Sequence, residues 1–289
     1  MRVALVHNPN AGKEDHSDAD LTKALRSAGH EVTHVVSRLK DLTASLQRSP
    51  CDLVVVAGGD GTVGKVACGL AGWQVPLSIL PLGTANNTAR ALGLPRRPKK
   101  LAKSWHGATP VPFDLGLLSD GTLCTRFSEA VGFGVFAQTI ALAKRQPLPG
   151  DVTETLKRHR KLFKGIAKTL APRRYDIHAD GQDLSGEYLL VEVMNVRYLG
   201  PRLDLSPESN PGDGSLELLL VGAEQRDALV NVSKAGHTNG SPLAVKRVAH
   251  ARITAEDALL HRDGQLLRQA PGRRTFTVGV EPNAISYLR

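Results

Sequence analysis

An α/β half with a parallel sheet, followed by a mostly-β half, is the architecture this 289-residue sequence predicts. Three observations lead there. As far as Phe113, short apolar runs alternate with helical patterns, the β-α-β-α rhythm of a parallel sheet covered by helices. Beyond Phe113 the runs are separated by hairpin signals: Asp120-Gly121, Asp180-Gly181, Pro211-Gly212-Asp213-Gly214 and Asp263-Gly264. Between Leu53 and Leu70 an apolar run breaks at Gly58-Gly59-Asp60-Gly61-Thr62 before a helical pattern resumes.

Val3 to Val6 reads as the first strand, and Leu21 to Ser27 lies in a helix that Gly29 ends. Val32 to Val36 is a second strand and Leu39 to Leu46 a second helix. Leu53 to Ala57 is β-branched and uninterrupted by polar residues, as in a strand buried on both faces. Val63 to Leu70 continues as a helix, and Leu77 to Leu80 is the fourth strand. In the second half Tyr188 to Val196, Ser215 to Val221, Ala249 to Ala255 and Thr275 to Val280 read as antiparallel strands of a sandwich or barrel. One helical insert, Val152 to Leu170, interrupts them.

Composition bounds the function. The net charge of +9 suggests an anionic partner: nucleic acid, acidic lipid or a phosphorylated metabolite. Aromatic content of 4% without basic–aromatic alternation argues against nucleic acid. No apolar stretch approaches the ~20 residues that span a bilayer. The N-terminus enters a strand directly and lacks a signal-peptide pattern. Three cysteines, Cys51, Cys68 and Cys124, show no metal spacing and fit reduced thiols in a cytoplasmic protein.

Ligands of parallel sheets gather at the carboxyl ends of strands. Three polar, glycine-containing segments fall there: Asn8 to Lys13, Gly58 to Thr62 and Pro81 to Asn87. A strand, a glycine turn and a helix start present backbone N–H groups to an anion. Such turns also occur without a ligand. Asp60 could orient a metal or a hydroxyl, and Thr62 could cap the helix or contact phosphate.

These residues resemble the diacylglycerol kinase catalytic family of lipid kinases, which also includes sphingosine and ceramide kinases. Asn8-Pro9-Asn10-Ala11-Gly12 is similar to its opening loop, Gly58-Gly59-Asp60-Gly61-Thr62 to its nucleotide signature, and Pro81 to Arg90 to its Pro-x-Gly-Thr-x-Asn segment. Asp213-Gly214-Ser215-Leu216-Glu217 and Asp263-Gly264-Gln265 resemble two further family turns, in order along the chain.

The resemblance implies a nucleotide-binding α/β domain over residues 1–120, a β-sandwich over 121–281 that takes the lipid, and a last segment from about Pro282 returning to the first domain, with the active site in the cleft between domains. It implies transfer of the γ-phosphate of ATP to a lipid hydroxyl with Mg²⁺. ATP contacts fall on Asn8, Pro9, Asn10, Ala11, Gly12, Ser37, Gly58, Gly59, Asp60, Gly61, Thr62, Val63, Gly64 and Thr84. Asp263 is the implied general base, within ~3 Å of the acceptor hydroxyl. Asp213, with Asn210 and Ser215, is the implied holder of a structural Mg²⁺, while Asp60 would face the Mg²⁺ carried by ATP.

Two departures stand out. Gly64-Lys65 replaces an expected Asn-Glu, and Gln265 replaces an expected Glu. They leave open an NAD kinase-like enzyme, which shares the Gly-Gly-Asp-Gly loop, and a nucleotide- or lipid-binding regulator with weakened catalysis. The basic stretch Lys157 to Arg174, with Leu156, Phe163, Ile166 and Leu170, suggests either a helix lying on an anionic membrane surface or a solvated helix covering the sandwich.

Overall fold

The computed structural model describes residues 1–11, 16–95, 98–145, 151–235 and 243–289. The chain forms two compact units, Met1–Phe113 with Asn283–Arg289, and Asp114–Pro282. The division falls at Phe113, short of residue 120, because the Phe113 ring packs edge-on against Tyr287 at 5.0 Å.

In the first unit β1 (Arg2–His7), α1 (Asp18–Ser27), β2 (Glu31–Val36), α2 (Leu39–Arg48), β3 (Leu53–Gly58), α3 (Asp60–Gly69) and β4 (Leu77–Pro81) alternate, followed by the short helices α4 (Asn87–Ala91) and α5 (Pro98–Ser104). The strands pair in parallel in the order β2-β1-β3-β4. Every residue of β3 is buried, which is why it reads as an unbroken apolar run. α1 begins with a capping box between Ser17 and Asp20, and it turns Leu21 and Leu25 into the core. The final residues add to the same sheet: Tyr287 pairs in parallel with Leu77, and the Ser78 hydroxyl donates to the Leu288 carbonyl at 2.8 Å.

The second unit is larger in repertoire. It contains β5 (Val111–Ser119, from Asp114 on), β6 (Cys124–Phe127), β7 (Ala130–Gly134), α6 (Val135–Ala143), α7 (Val152–Thr169), β8 (Arg173–Ala179), β9 (Gln182–Asp183), β10 (Gly186–Tyr188), β11 (Leu190–Met194), β12 (Tyr198–Leu199), β13 (Leu203–Asp204), β14 (Leu216–Val221), α8 (Arg226–Ala235), β15 (Val245–Val248), β16 (His250–Glu256), β17 (Leu260–Arg262), β18 (Gln265–Leu267) and most of β19 (Arg273–Tyr287). One antiparallel layer runs β10-β8-β16-β19; the other runs β15-β14-β11-β7-β17-β18. Their inner faces meet in one core, Tyr175, Ile177, Ile253 and Phe276 from the first layer against Phe133, Val191, Val193 and Leu218 from the second.

Three helices, rather than the single insert the sequence suggests, cover the outer face of the six-stranded layer. Phe136 of α6, Phe163 and Ala167 of α7 and Leu229 of α8 pack there on Leu190, Met194 and Leu219. The apolar stripe of α7 is therefore spent on the protein itself. Of its basic residues, Arg160 donates to the Pro201 carbonyl and Lys157 pairs with Glu154, while Lys161 and Lys168 are exposed. Beyond the helix, Arg173 binds the carbonyls of Glu256 and Asp257, and Arg174 meets Asp176. The helix covers the sandwich, and what it offers outward is charge rather than an apolar face.

The hairpin signals hold in part. Asp180-Gly181 and Asp263-Gly264 both take positive φ at both residues, as a type I′ turn requires. At 213–214 only Gly214 does, so Asp213 does not sit in a type I′ turn.

Candidate functional site

In the first unit the strand order places a switch point between β1 and β3: the chain leaves β1 toward β2 on one side and returns to β3 on the other. Crevices at the carboxyl ends of such strands are where open α/β sheets bind ligands. The loops after β1, β3 and β4 are tied together there. The Asn8 N–H donates to the Ala57 carbonyl at 3.0 Å, and its side-chain Nδ2 donates to Thr62 Oγ1 at 2.9 Å. Asn8 Oδ1 accepts from the Asn10 N–H at 3.1 Å, folding Pro9 and Asn10 outward as an exposed turn that Ala11 closes. Gly12 and Lys13 lie outside the described residues.

α3 starts at Asp60 with Gly59 as its N-cap, and no side chain caps it. Its first-turn N–H groups and the positive end of its dipole therefore point into the crevice. Glycine is needed twice for space. A Cβ on Gly58 would stand 2.9 Å from the Thr62 Cβ, and a Cβ on Gly83 would stand 2.3 Å from the Gly59 Cα. The β3 and β4 loops thus touch backbone to backbone, and Leu82 N–H donates to the Gly58 carbonyl at 3.1 Å.

Asn86 staples the third loop. It adopts a left-handed φ of 53°, accepts from Gly83 N–H at 2.9 Å, and donates to the carbonyls of Pro81 and Gly83. This frames Thr84, which is half-buried beside it. Asp60 Oδ1 accepts from the Thr88 N–H at 3.3 Å, linking the starts of α3 and α4. Val63 and Gly64 are buried and turned into the sheet, so their part in any ligand contact is limited to the backbone. Ser37 is exposed at the end of β2, and among the described residues no hydrogen bond ties it to the three loops. Lys65 is exposed on α3 and Gln265 is exposed on β18, so neither departure is a core substitution.

In the second unit Asp263 sits at the β17–β18 turn with φ 46°. Its carboxylate is cradled by three consecutive backbone amides. Oδ2 accepts from Ser128 N–H at 2.9 Å, and Oδ1 accepts from Glu129 and Ala130 N–H at 2.8 and 3.2 Å. The Asp263 N–H returns a bond to the Ala130 carbonyl at 2.9 Å. Asn195 braces this cradle from beneath, donating to the carbonyls of Ser128 and Asp114. Nothing in the side-chain types of Ser128 to Ala130 announces the cradle, because it is made of backbone.

Asp213, Asn210 and Ser215 are together, but their donor atoms are engaged. Asp213 Oδ1 accepts from the Ser215 N–H and hydroxyl at 3.1 and 2.6 Å, and Oδ2 meets the Arg247 guanidinium at 2.5 Å. The Asn210 carbonyl accepts from Gly212 and Asp213 N–H. Among the described residues no three acidic, His or Cys side chains cluster as metal ligands. A divalent ion does not fit this turn as it stands, since Arg247 already supplies the positive charge.

Glu217 beside it is buried, and that burial pushes its carboxyl up to about 7; the Ser209 hydroxyl opposes the shift, Asp213 adds to it and Arg247 opposes it. The folded protein therefore holds a proton that the unfolded chain, at 4.5, releases. Stability is expected to fall as pH rises through that window and to level off above it, by roughly 1–3 kcal/mol. Urea melts in EDTA across this pH range check it: Glu217→Gln should flatten the slope, and an unchanged slope would assign it elsewhere.

A family model of the diacylglycerol kinase catalytic domain matches residues 2–118, and one of the YegS C-terminal NAD kinase beta sandwich-like domain matches residues 130–289. The chain is 26% identical over 287 residues to a diacylglycerol kinase of Bacillus subtilis, covering 94% of this chain and 92% of that one. It is 30% identical over 231 residues to a probable lipid kinase YegS-like of Pseudomonas putida, covering 77% and 74%. Its fold matches a crystal structure of a putative diacylglycerol kinase from Bacillus anthracis with a TM-score of 0.75 at 22% identity, covering 99% and 97% of the two chains. The ordered loops of the first unit and the sandwich of the second thus place this chain in the diacylglycerol kinase catalytic family, as a lipid kinase.

Proposed function

We propose that this kinase transfers the γ-phosphate of ATP to the hydroxyl of diacylglycerol or a related lipid, with Mg²⁺. The observation that carries the reading is the knitting of three loops at the β1/β3 switch point, where Asn8 reaches Thr62 and Gly59 touches Gly83. In phosphoryl transfer the protein mainly positions groups and neutralises charge. Asn8 to Gly12, Gly58 to Thr62 and Thr84 would hold the phosphates, chiefly through backbone N–H groups at the start of α3. Val63, Gly64 and Ser37 are secondary: the first two are buried and would contribute backbone, and Ser37 is an exposed hydroxyl after β2. Asp60 is the carboxylate that would hold the Mg²⁺ arriving with ATP, in keeping with one or two carboxylates plus phosphates as the usual Mg²⁺ set. That ion would neutralise charge on the transferring group. Lys65, in place of an acid and exposed on α3, would be a point positive charge for the same phosphates.

Asp263 would accept the proton of the attacking lipid hydroxyl, held in one orientation by the Ser128–Ala130 amides. Among the described residues no helix is long and apolar enough to cross a membrane. Contact with an anionic leaflet would rest on the exposed charges of α7, including Lys161 and Lys168.

The test is turnover of radiolabelled ATP on mixed-lipid vesicles, with NAD as a competing acceptor. Labelled phospholipid is expected. Labelled NADP without labelled lipid would move the chain to the NAD kinase reading, and ATP binding without turnover on either acceptor would make it a regulator.

A further inference from the structure

Beneath the Asp263 hairpin lies a pair that the reaction does not use directly. Glu192 on β11 and His261 on β17 are 0% and 1% exposed. β7 runs between their strands, and register brings one row together: Glu192 pairs with Gly132, and Gly132 pairs with His261. Because Gly132 has no side chain, the carboxylate and the imidazole meet across the strand. His261 Nε2 lies 2.9 and 3.0 Å from the two Glu192 oxygens. A Cβ on Gly132 would fall 2.3 Å from the Glu192 carboxyl carbon. A proton must lie between two such acceptors. With it on Nε2, His261 donates to both oxygens, and Nδ1 is left without a partner in the buried interior. Burial pushes the Glu192 carboxyl up, and His261 pulls it back.

The row has a consequence for the site. His261 is followed two positions later by Asp263, and Gly132 is preceded by the Glu129–Ala130 amides that hold the Asp263 carboxylate. The side-chain tie therefore adds to the β7–β17 ladder at the row next to both parts of the cradle. Parting the two would leave the buried Glu192 carboxyl unpaired at high cost, so the pair is set in a single arrangement. The ring of Phe136 on α6 lies 6.2 Å from the imidazole and closes the row from above. On the opposite face of the same strands Val191, Phe133 and Leu260 pack into the core between the two layers.

We infer that Glu192 and His261, bridged across Gly132, are positioning residues that fix the β17–β18 hairpin on β7 and so hold Asp263 in its cradle. The inference rests on Asp263 acting as the base. Its test combines kinetics with hydrogen exchange on the full chain. Glu192→Ala is expected to lower kcat by about 10- to 100-fold with the KM for ATP within about twofold, as a misplacement of order 1 Å would. Glu192→Gln, whose amide oxygen still accepts from Nε2–H, should regain most of that loss. Val191→Ala thins the other face of the same strand, and at comparable loss of stability it should keep kcat within about twofold. The amides of Ser128, Glu129 and Ala130 should exchange faster in Glu192→Ala than in Val191→Ala. If Glu192→Ala does not fold, His261→Asn, too short to present a nitrogen at the Nε2 position, is read against His261→Gln in the same way. Unchanged kcat in an active wild type overturns the inference and leaves the kinase reading standing. A wild type that phosphorylates no lipid overturns the kinase reading, and the exchange of the three amides then decides this one: acceleration supports it, unchanged protection overturns it.

Discussion

Replacing Asp263 by Asn is expected to lower kcat by about 10²- to 10⁴-fold, the usual worth of a positioned general base, while ATP binding is kept. The two readouts separate because Asp263 belongs to the second unit and the phosphate loops to the first. The substitution also has a structural cost. Both Asp263 oxygens accept from backbone N–H groups, and the Ser128 hydroxyl adds a longer contact at 3.4 Å. An Asn amide must turn its NH₂ toward one of those donors, leaving it unsatisfied at about 1–3 kcal/mol. A lower Tm is therefore expected along with the lower kcat. The discriminating measurement is kcat at a temperature where the variant is fully folded. A rate within about threefold of wild type there would remove Asp263 from the chemistry and leave it only its structural bonds.

Gly83→Ala is expected to lower kcat/KM for ATP by about 100-fold, mostly through weaker ATP binding. The added Cβ would meet the Gly59 Cα at 2.3 Å and the Gly59 nitrogen at 3.2 Å. Carbon atoms rest at about 3.5–4.0 Å, so the loops must part by more than about 1 Å. No rotamer relieves a contact between two backbones. The Asn86 Oδ1 would also be crowded at 2.9 Å, which threatens the bonds that shape the third loop. Gly165→Ala is the matched control, because a Cβ there meets nothing within 4 Å and lies on an exposed turn of α7. Isothermal titration with a non-hydrolysable ATP analogue reads the effect directly. Equal affinities for Gly83→Ala and wild type would mean that the contact of the two loops does not shape the nucleotide site.

Much of the first unit is legible from residue order because its strands are local, apolar and closed by glycine. β3 is a run of buried residues that stops at Gly58-Gly59, and the helix that follows is apolar on the side that packs. The second unit is harder to read. α6 has the sequence Val-Phe-Ala-Gln-Thr-Ile-Ala-Leu-Ala and follows Gly134 with φ 83°, so it offers neither a polar face nor a side-chain cap. α7 shows its helical period plainly, but its apolar stripe fits a membrane surface and a neighbouring sheet equally well. Packing on α6 and α8 decides for the sheet. Asp213 carries a motif suited to a cation, and only the approach of Arg247 from the neighbouring strand β15 shows what its carboxylate meets.

The order of short motifs along the chain is enough to establish the class of fold and the family, since each motif lies within a few consecutive residues. Strand order, the cradle at Asp263 and the Glu192–His261 row are matters of tertiary structure. Glu192 and His261 are 69 positions apart, and Asp263 is held by amides more than 130 positions away. Such contacts depend on register between strands and on backbone N–H groups that every residue type but proline carries. Side-chain identity encodes neither, and so these parts of the site exist only once the sheets have formed.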